Sequence, residues 1–445
     1  MKVSFNPIQQ NQKRFNNTFK SNITFDIGGS QREGSCKIYY ATTATDEEIH
    51  REHTTVNALG KRSFQDSEDF INNIVNKISK IQKEGRREIK EKGFPAEENT
   101  IRNVAIFLPS YTMGDKAFYL PNIRNKEDKP LKDLDFSNFK ERLAAAGVEV
   151  SDDMNFKVVQ DAMGTGLAMT QKLYDLGMLE EGSLYTACIT GGGCGISNIE
   201  VVDKNNVIVK SSGSGCLSQS LSLQKVSRAG ASAPALIENF CKAMGFHEEL
   251  TADIKACHKA EFVLSEYATY KKNDPKALRL RELLDSTGMF EILDDEEENE
   301  FRVRIKDEYH DKYDVARENA IDKYCLALAR LAIIKKNEGS NGMIVTGTVA
   351  KAVNKAAGNA YNKSLSKWVM QHLMQSFNSY ELDKLQEVYD FKVFCDPRFF
   401  IDNNTECEEL VHLAKFVGNT RRNWLRLSID DLKRGTKQAV KKLAK

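Results

Sequence analysis

The sequence lacks any long apolar run: none of its 445 residues belongs to a stretch near the ~20 consecutive apolar residues of a membrane-spanning helix. It also lacks an excess of charge of one sign, since 64 Lys and Arg residues balance 63 Asp and Glu residues. The resulting net charge of +1 provides no general attraction to nucleic acid or to anionic membranes. We therefore expect neither a membrane nor a nucleic-acid partner.

Paired cysteines are absent too. The nine cysteines form no CxxC pair, so neither a zinc ribbon nor a disulfide framework is indicated. Their odd number and small or apolar neighbours predict reduced, largely buried thiols of a cytoplasmic protein. The first residues are rich in Asn and Gln and have no apolar h-region, so we expect a flexible arm over residues 1–21 and no secretory leader.

Strand and helix patterns alternate along the rest of the chain. Alternating or continuous apolar runs predict strands at residues 22–27, 37–42, 102–108, 157–160, 183–190, 196–202, 207–211 and 343–346. Apolar residues at helical spacing predict helices over 66–84, 161–176 and 311–336. The stretch 111–130 holds two of the eight prolines and is predicted to be an irregular loop. From Pro234 onward the pattern is mainly helical, with the acidic run 294–300 as a surface loop.

An internal sequence repeat is the most informative feature. The segments ITFDIGGSQREGSCKIYYAT and LYTACITGGGCGISNIEVV each contain a strand, a glycine cluster with Ser or Thr, and a second strand. They lie about 160 residues apart, a separation that favours two duplicated domains. A glycine-rich turn can be a simple hairpin, but its N–H groups can also approach a phosphate closely. The candidate phosphate ligands are Gly28, Gly29, Ser30, Thr190, Gly191, Gly192 and Gly193.

Two aspartates stand at informative places. Asp26 lies inside the apolar strand Phe25-Asp26-Ile27, where a carboxylate is unfavourable unless it serves a cation or a hydrogen-bond network. A water-mediated Mg²⁺ contact is the natural use. Asp161 lies between a predicted strand and a predicted helix, where preference for the helix N-cap alone explains it.

Three motifs together resemble the sugar kinase, Hsp70 and actin superfamily. The sequence DIGGS at 26–30 is nearest the DIGGT phosphate motif of the bacterial glucokinases and of the ROK (repressor, open reading frame, kinase) family. TGGGCG at 190–195 is similar to their second phosphate motif, and GMIVTGT at 342–348 to their adenosine motif. The resemblance covers residues 23 to about 350 and implies ATP and Mg²⁺ as cofactors, with Asp26 holding Mg²⁺ through water and Gly347 and Thr348 lying against the adenosine.

Further segments are similar to the sugar-kinase branch in particular. FLPS at 107–110, LPN at 120–122 followed by PL at 130–131, and VVQDA at 158–162 occupy the places of the family's substrate-side motifs. This resemblance implies that Asp161 is the catalytic base and that Ser110, Asn122, Gln160 and Asp161 lie on the substrate side.

The sequence departs from the family at three places, one of which is a longer connection over residues 250–310. The residue before the catalytic Asp is usually Asn and is Gln160 here, one methylene longer. Residues 211–220 contain none of the Glu, His or clustered Cys residues that contact sugar and zinc in ROK proteins, so no zinc is expected. Ordinary glucose specificity is therefore in doubt.

The resemblance implies an α/β, two-lobed duplicated ribonuclease-H-like (actin-like ATPase) fold with mixed sheets and a helix-rich second lobe. The expected lobes cover 22–160 and 161–430, with a helical insertion at about 234–340 and a basic tail over 431–445. The implied activity is transfer of the ATP γ-phosphate to a hydroxyl of a hexose or related small-molecule sugar. The alternatives are a non-catalytic nucleotide- or sugar-binding protein and an actin-like or chaperone-like ATPase. The oligomeric state stays open, and a homodimer is compatible with the sequence.

Overall fold

The computed structural model describes residues 20–28, 35–43, 47–59, 64–214, 230–376, 390–395, 397–400, 420–421, 424–428 and 432. The predicted N-terminal arm lies outside these residues except for Lys20 and Ser21, and the predicted basic tail lies outside them except for Leu432.

The described strands and helices include every strand and helix that the sequence pattern predicts. The strands are β1 (Ser21–Gly28), β2 (Ser35–Thr42), β3 (Glu48–Thr55), β4 (Ile101–Leu108), β5 (Thr112–Met113), β6 (Lys116–Arg124), β7 (Pro130–Asp135), β8 (Val150–Gln160), β9 (Leu184–Thr190), β10 (Cys194–Asp203), β11 (Asn206–Ser214), β12 (Tyr267–Lys271), β13 (Phe290–Asp295), β14 (Glu300–Ile305), β15 (Gly342–Thr346), β16 (Lys392–Phe394), β17 (Thr420–Arg421) and β18 (Trp424–Ser428). The helices are α1 (Ser67–Glu91), α2 (Phe139–Ala145), α3 (Asp161–Asp175), α4 (Ala233–Met244), α5 (Glu248–Cys257), α6 (Glu261–Leu264), α7 (Pro275–Ser286), α8 (His310–Asn337), α9 (Thr348–Tyr361) and α10 (Leu365–Gln375).

The first lobe is built on a five-stranded mixed sheet in the order β3-β2-β1-β4-β8. Strands β1, β2 and β3 pair antiparallel, whereas β4 runs parallel to β1, and β8 runs parallel to β4. Because side chains alternate between the two faces of β1, Ile23, Phe25 and Ile27 all pack into one apolar core with α1. Asp26 consequently belongs to the opposite face of the sheet.

The second lobe repeats the same strand order. Its sheet runs β16-β15-β9-β10-β11-β18-β17. Strands β9, β10 and β11 pair antiparallel, and β15 and β16 extend the sheet parallel to β9. Two sheets with this order confirm the duplication predicted from the internal repeat and the two-lobed α/β fold that the resemblance implies.

Helix α3 joins the two sheets. Its Met163 and Leu167 share one buried cluster with Phe107 of the first sheet and Val209 of the second. At Gly166 the approach is so close that a Cβ atom would lie 2.5 Å from the Ser197 Oγ and 2.7 Å from a Val209 methyl. A larger residue at Gly166 would therefore push α3 away from the second sheet.

The structure corrects the prediction of an irregular loop over 111–130. Strands β5 and β6 lie within this stretch, and β7 begins at its end, so the three form a small antiparallel sheet. The pairing of β6 with β7 shifts register between Leu120 and Arg124, around Pro121. A strand accepts proline where a bulge interrupts the ladder of hydrogen bonds, and for this reason counting prolines misled the prediction.

The prediction of a mainly helical region from Pro234 onward is incomplete. A three-stranded sheet, β12-β14-β13, stands between α6 and α8. The acidic run 294–300, predicted as a loop between helices, forms the end, turn and start of the β13–β14 hairpin. The strand signal was the alternation of Phe301, Val303 and Ile305, all buried.

No helix within the described ranges is both long and apolar enough to cross a bilayer.

Candidate functional site

The predicted motifs converge where strands of both sheets end. Parallel strands β1, β4 and β8 end at Gly28, Leu108 and Gln160, with Leu108 opposite Gln160. In the second lobe, the neighbouring parallel strands β9 and β15 end at Thr190 and Thr346. Ligands of open α/β sheets bind at this edge.

One close contact connects the two edges. A Cβ atom on Gly195, which follows the second glycine turn, would lie 3.4 Å from the Cβ atom of Ala162. Since Ala162 follows Asp161 directly, the start of α3 lies beside β10, two residues after the second glycine turn. The structure therefore brings together segments that are more than 30 residues apart in sequence.

Asp161 is the first residue of α3 and is only partly exposed. Its Oδ1 atom accepts a hydrogen bond from the backbone N–H of Ala162, 2.7 Å away. Burial of the carboxyl, together with the negative charge of Asp26, raises the pKa of Asp161 to about 7. A carboxylate with a pKa near neutrality is well matched to proton abstraction at cellular pH.

The raised pKa of Asp161 predicts how the stability of the folded protein depends on pH. Folded Asp161 binds a proton more tightly than the unfolded chain, whose carboxyl has the ordinary value of 3.8. The contribution of Asp161 to the free energy of unfolding therefore falls as pH rises from about 4 through 7, and it does not fall further above 7. Replacing Asp161 with Asn removes the penalty, so the ligand-free variant should unfold at higher urea. The increase in the free energy of unfolding caused by Asp161→Asn should be about 1–2 kcal/mol larger at about pH 8 than at about pH 5.5.

The control for this measurement is Asp175→Asn, at the exposed end of the same helix. It should change stability little, and equally at both pH values. A gain from Asp161→Asn that does not depend on pH would contradict the raised pKa.

Asp26 has a partner that the sequence reasoning missed. Lys37 lies opposite Asp26 in the β1–β2 pairing, and its Nζ atom is 3.4 Å from the Asp26 Oδ2. The side chains are only 10% and 20% exposed, respectively. A signal was present in the sequence, because Lys37 follows the first glycine cluster inside an otherwise apolar strand.

The first glycine turn is described only at its start. Gly28 ends β1 opposite Ser35 of β2. Gly29 and Ser30, the other predicted phosphate ligands of this turn, lie outside the described residues.

The second glycine turn is described throughout. The N–H of Gly191 donates to the carbonyl of Gly193 at 2.9 Å, and the carbonyl of Gly191 accepts from Ala233, the first residue of α4, at 2.8 Å. Gly192 and Gly193 are exposed, and a Cβ on Gly191 or Gly193 would meet nothing within 4 Å. This open backbone leaves space for a phosphate against Gly192 and Gly193, as the fit of a nucleotide requires.

Thr190 ties this turn to its surroundings. Its hydroxyl is fully buried and lies 2.8 Å from the hydroxyl of Tyr324 in α8. The same oxygen is 3.3 Å from the Thr346 carbonyl, at the end of β15. These contacts make Thr190 an anchor of the turn.

The predicted adenosine motif lies against the same turn. Gly347 follows β15 with φ +99°, a conformation that favours glycine, and a Cβ there would lie 2.4 Å from the Thr190 carbonyl oxygen. Thr348 is exposed at the first position of α9. The two predicted nucleotide motifs of the second lobe are therefore neighbours.

The predicted substrate-side residues have different environments. Ser110 is fully buried; its Oγ donates to the Tyr111 carbonyl and accepts from the Tyr119 N–H, both at 3.1 Å. Asn122 lies in β6, and its side chain is outside what the structure describes. Gln160 is buried, and its Oε1 accepts a hydrogen bond from the hydroxyl of Ser211 in β11, whereas its Nε2 has no hydrogen-bond partner among the described residues.

The arrangement fits a hydrated magnesium ion and a nucleotide phosphate. A partly exposed carboxylate, Asp26, stands two residues before the end of β1, and carboxylate oxygen is the ligand type that Mg²⁺ prefers. The exposed glycine backbone of residues 192–193 offers N–H groups of the kind that cradle phosphates.

Several solved structures of sugar kinases are similar to this chain. Glucokinase from Balamuthia mandrillaris in complex with glucose matches with a TM-score of 0.50 at 9% sequence identity, over 89% of this chain and 94% of that chain. Glucokinase from Leishmania braziliensis matches with a TM-score of 0.47 at 13% identity, over 89% and 93%. A ROK family glucokinase from Streptomyces griseus in complex with glucose and AMPPNP matches with a TM-score of 0.41 at 12% sequence identity, over 89% of this chain and 99% of that chain.

No protein-family model matches the chain, and no curated protein matches it by sequence. The likeness to the first of these glucokinases and the repeated strand order agree with the motifs quoted above. The chain has a two-lobed, hexokinase-type α/β fold.

Proposed function

We propose that this chain is an ATP- and Mg²⁺-dependent kinase that transfers the γ-phosphoryl group to a hydroxyl of a hexose or related sugar. The observation that supports it most is Asp161. Its carboxyl experiences the negative charge of Asp26 and has a pKa of about 7. The next residue, Ala162, lies against Gly195, just after the second glycine turn. A base of this kind suits the attack of a sugar hydroxyl on a phosphoryl group, whereas an ATPase positions a water and would lack a base dedicated to a sugar hydroxyl.

Each residue has a defined part in this proposal. Asp161 accepts the proton of the attacking hydroxyl, and the N–H groups of Gly192 and Gly193 bind phosphate oxygens. Bound Mg²⁺ supplies neutralisation of the phosphate charge, and Asp26 would hold it through water. Gly347 and Thr348 would lie against the adenosine.

Gln160 would supply the sugar contact next to the base. Its amide oxygen is already taken by Ser211 of the second lobe. Its amide nitrogen is a buried donor without a partner in the described structure. A buried unpaired donor costs about 1–3 kcal/mol, so a substrate oxygen that reaches Gln160 when the cleft opens would be bound favourably.

The test is a coupled ADP-release assay across a panel of hexoses, hexosamines, N-acetylhexosamines and pentoses, with ATP and Mg²⁺ in excess. We expect one sugar or a small related group to raise ADP release at least about tenfold over the sugar-free rate, because chemistry requires a bound acceptor. The Asp161→Asn variant, assayed in parallel, should lack this increase.

The other outcomes select the alternatives. Nucleotide binding without turnover on any sugar would indicate a binding protein. ADP release that no sugar accelerates and that Asp161→Asn retains would indicate an ATPase of the actin or chaperone kind.

A further inference from the structure

Ser211 is a residue of the second lobe that contacts the side chain proposed to bind sugar and has no role of its own so far. It lies in β11, and its hydroxyl donates a hydrogen bond to the Oε1 atom of Gln160, at the end of β8. Because β8 belongs to the first sheet and β11 to the second, this hydrogen bond connects the two lobes. The second lobe therefore reaches the proposed sugar contact through Ser211.

The packing of α3 explains why Ser211 can reach Gln160. Val209 and Ser211 are two residues apart in β11, so their side chains lie on the same face of the sheet. A Cβ atom on Gly166 of α3 would lie 2.7 Å from a Val209 methyl, so this is the face that α3 covers. Since Gln160 is the N-cap residue of α3, its side chain starts beside the same face.

The side chain of Gln160 does not cap the helix. An N-cap side chain usually accepts a hydrogen bond from a helix N–H, but Gln160 makes no such bond. Its oxygen is bonded to Ser211 instead, and its Nε2 has no partner among the described residues, although the residue is only 2% exposed. A carboxamide has an acceptor at one end and two N–H donors at the other, so a contact that holds the oxygen also directs the donors.

We propose that Ser211 is a positioning residue for sugar binding, which holds the Gln160 oxygen and thereby keeps the Gln160 amide nitrogen directed at a substrate oxygen. Without the Ser211 hydroxyl, the amide can rotate, and only some of its orientations present the nitrogen. Part of the binding free energy would then be used to order the side chain. This inference rests on the sugar binding of the proposed function, but not on phosphoryl transfer.

The test measures sugar affinity by calorimetry, on the panel sugar that the wild-type protein binds most tightly. We expect Ser211→Ala to weaken this affinity about 3–10-fold, the usual loss for one hydrogen bond between neutral groups. KM should rise while kcat changes less than about twofold, because the proposed base is untouched. Ser211→Thr keeps a hydroxyl and should bind the sugar within about twofold of wild type.

A double-mutant cycle determines whether Ser211 acts through Gln160. The Gln160→Ala variant lacks the amide and should bind the sugar no more tightly than Ser211→Ala does. Adding Ser211→Ala to Gln160→Ala should then change the affinity less than about twofold, because the side chain that Ser211 positions is already gone.

The matched control is Ser197→Ala. Ser197 lies opposite Ser211 in the β10–β11 pairing and is buried against α3, but its Oγ has no hydrogen-bond partner among the described residues. The substitution should leave sugar affinity, KM and kcat unchanged. Urea unfolding of every variant separates a folding defect from a binding defect. If Ser211→Ala does not fold, the isosteric pair Ser211→Thr and Ser211→Val replaces it: tighter binding by the Thr variant supports the inference, and equal affinities overturn it.

Three results would overturn the inference. The first is wild-type sugar affinity in Ser211→Ala, which would leave the kinase proposal intact if turnover persists. The second is a loss from Ser211→Ala that is as large in the Gln160→Ala background as in the wild type, since Ser211 would then act elsewhere. The third is wild-type protein that binds none of the panel sugars. By contrast, Ser211-dependent sugar binding without turnover would support the inference and reject the kinase proposal.

Discussion

Replacing Asp161 with asparagine is expected to lower kcat for the preferred sugar about 10²–10⁴-fold, the usual contribution of a general base, with ADP affinity nearly unchanged. The amide keeps the size of the side chain and an oxygen that can accept the 2.7 Å hydrogen bond from the Ala162 N–H. It cannot accept a proton from the sugar. The sequence left Asp161 open as the N-cap of α3 or as the catalytic base, but the N-cap is Gln160. The substitution therefore separates the hydrogen-bonding role of Asp161 at the start of α3 from proton transfer.

The pH profile gives a second readout of the same substitution. Since the base must be unprotonated and its pKa is about 7, kcat/KM of the wild type should rise with pH and level off above about 7. The residual activity of Asp161→Asn should lack this acidic limb. Asp175→Asn, at the other end of α3, should retain both the rate and the limb.

The experiment is steady-state kinetics on the sugar identified by the panel, combined with calorimetry of ADP. Near-normal kcat in Asp161→Asn would reject Asp161 as the base and leave only its hydrogen bond with the Ala162 N–H at the start of α3. A parallel loss of ADP affinity would place the damage in the nucleotide site and not in proton transfer.

The fold could be predicted from the sequence because the two halves repeat a local pattern. In β1 and β9, apolar residues lead into glycines, and this signal is contained within about ten residues. The repeated strand order and the convergence of Thr190, Gly195 and Gly347 follow from such local signals, since strands that end in glycine turns meet at the same edge of a sheet.

The pairs that complete the site could not be predicted in this way. The Lys37–Asp26 pair depends on the register of β1 with β2, and a shift by one residue would turn Lys37 to the other face. The Gln160–Ser211 hydrogen bond joins residues of different sheets. Strand β6 was hidden because Pro121 lies at its bulge. In each case, the structure depends on how distant segments pair, and the local sequence does not specify that pairing.

Replacing Gly347 with alanine is expected to lower the free energy of unfolding by about 3–5 kcal/mol, at the upper end of single-residue effects. Two causes act together. The backbone at Gly347 has φ +99° and ψ 166°, a region that is open almost only to glycine. The new Cβ would also lie 2.4 Å from the Thr190 carbonyl oxygen and 2.9 Å from the Thr190 nitrogen, so β9 and the start of α9 must separate.

This separation also affects nucleotide binding, because Thr190 leads directly into the second glycine turn. We expect ADP affinity to fall at least about tenfold in any Gly347→Ala protein that folds, since both predicted nucleotide motifs of the second lobe are displaced. Gly358→Ala is the matched control. Gly358 is exposed within α9, a Cβ there would meet nothing within 4 Å, and the substitution should stabilise the protein by about 0.5–1 kcal/mol. Equal unfolding midpoints for both variants in urea would show that Gly347 and Thr190 are not in close contact.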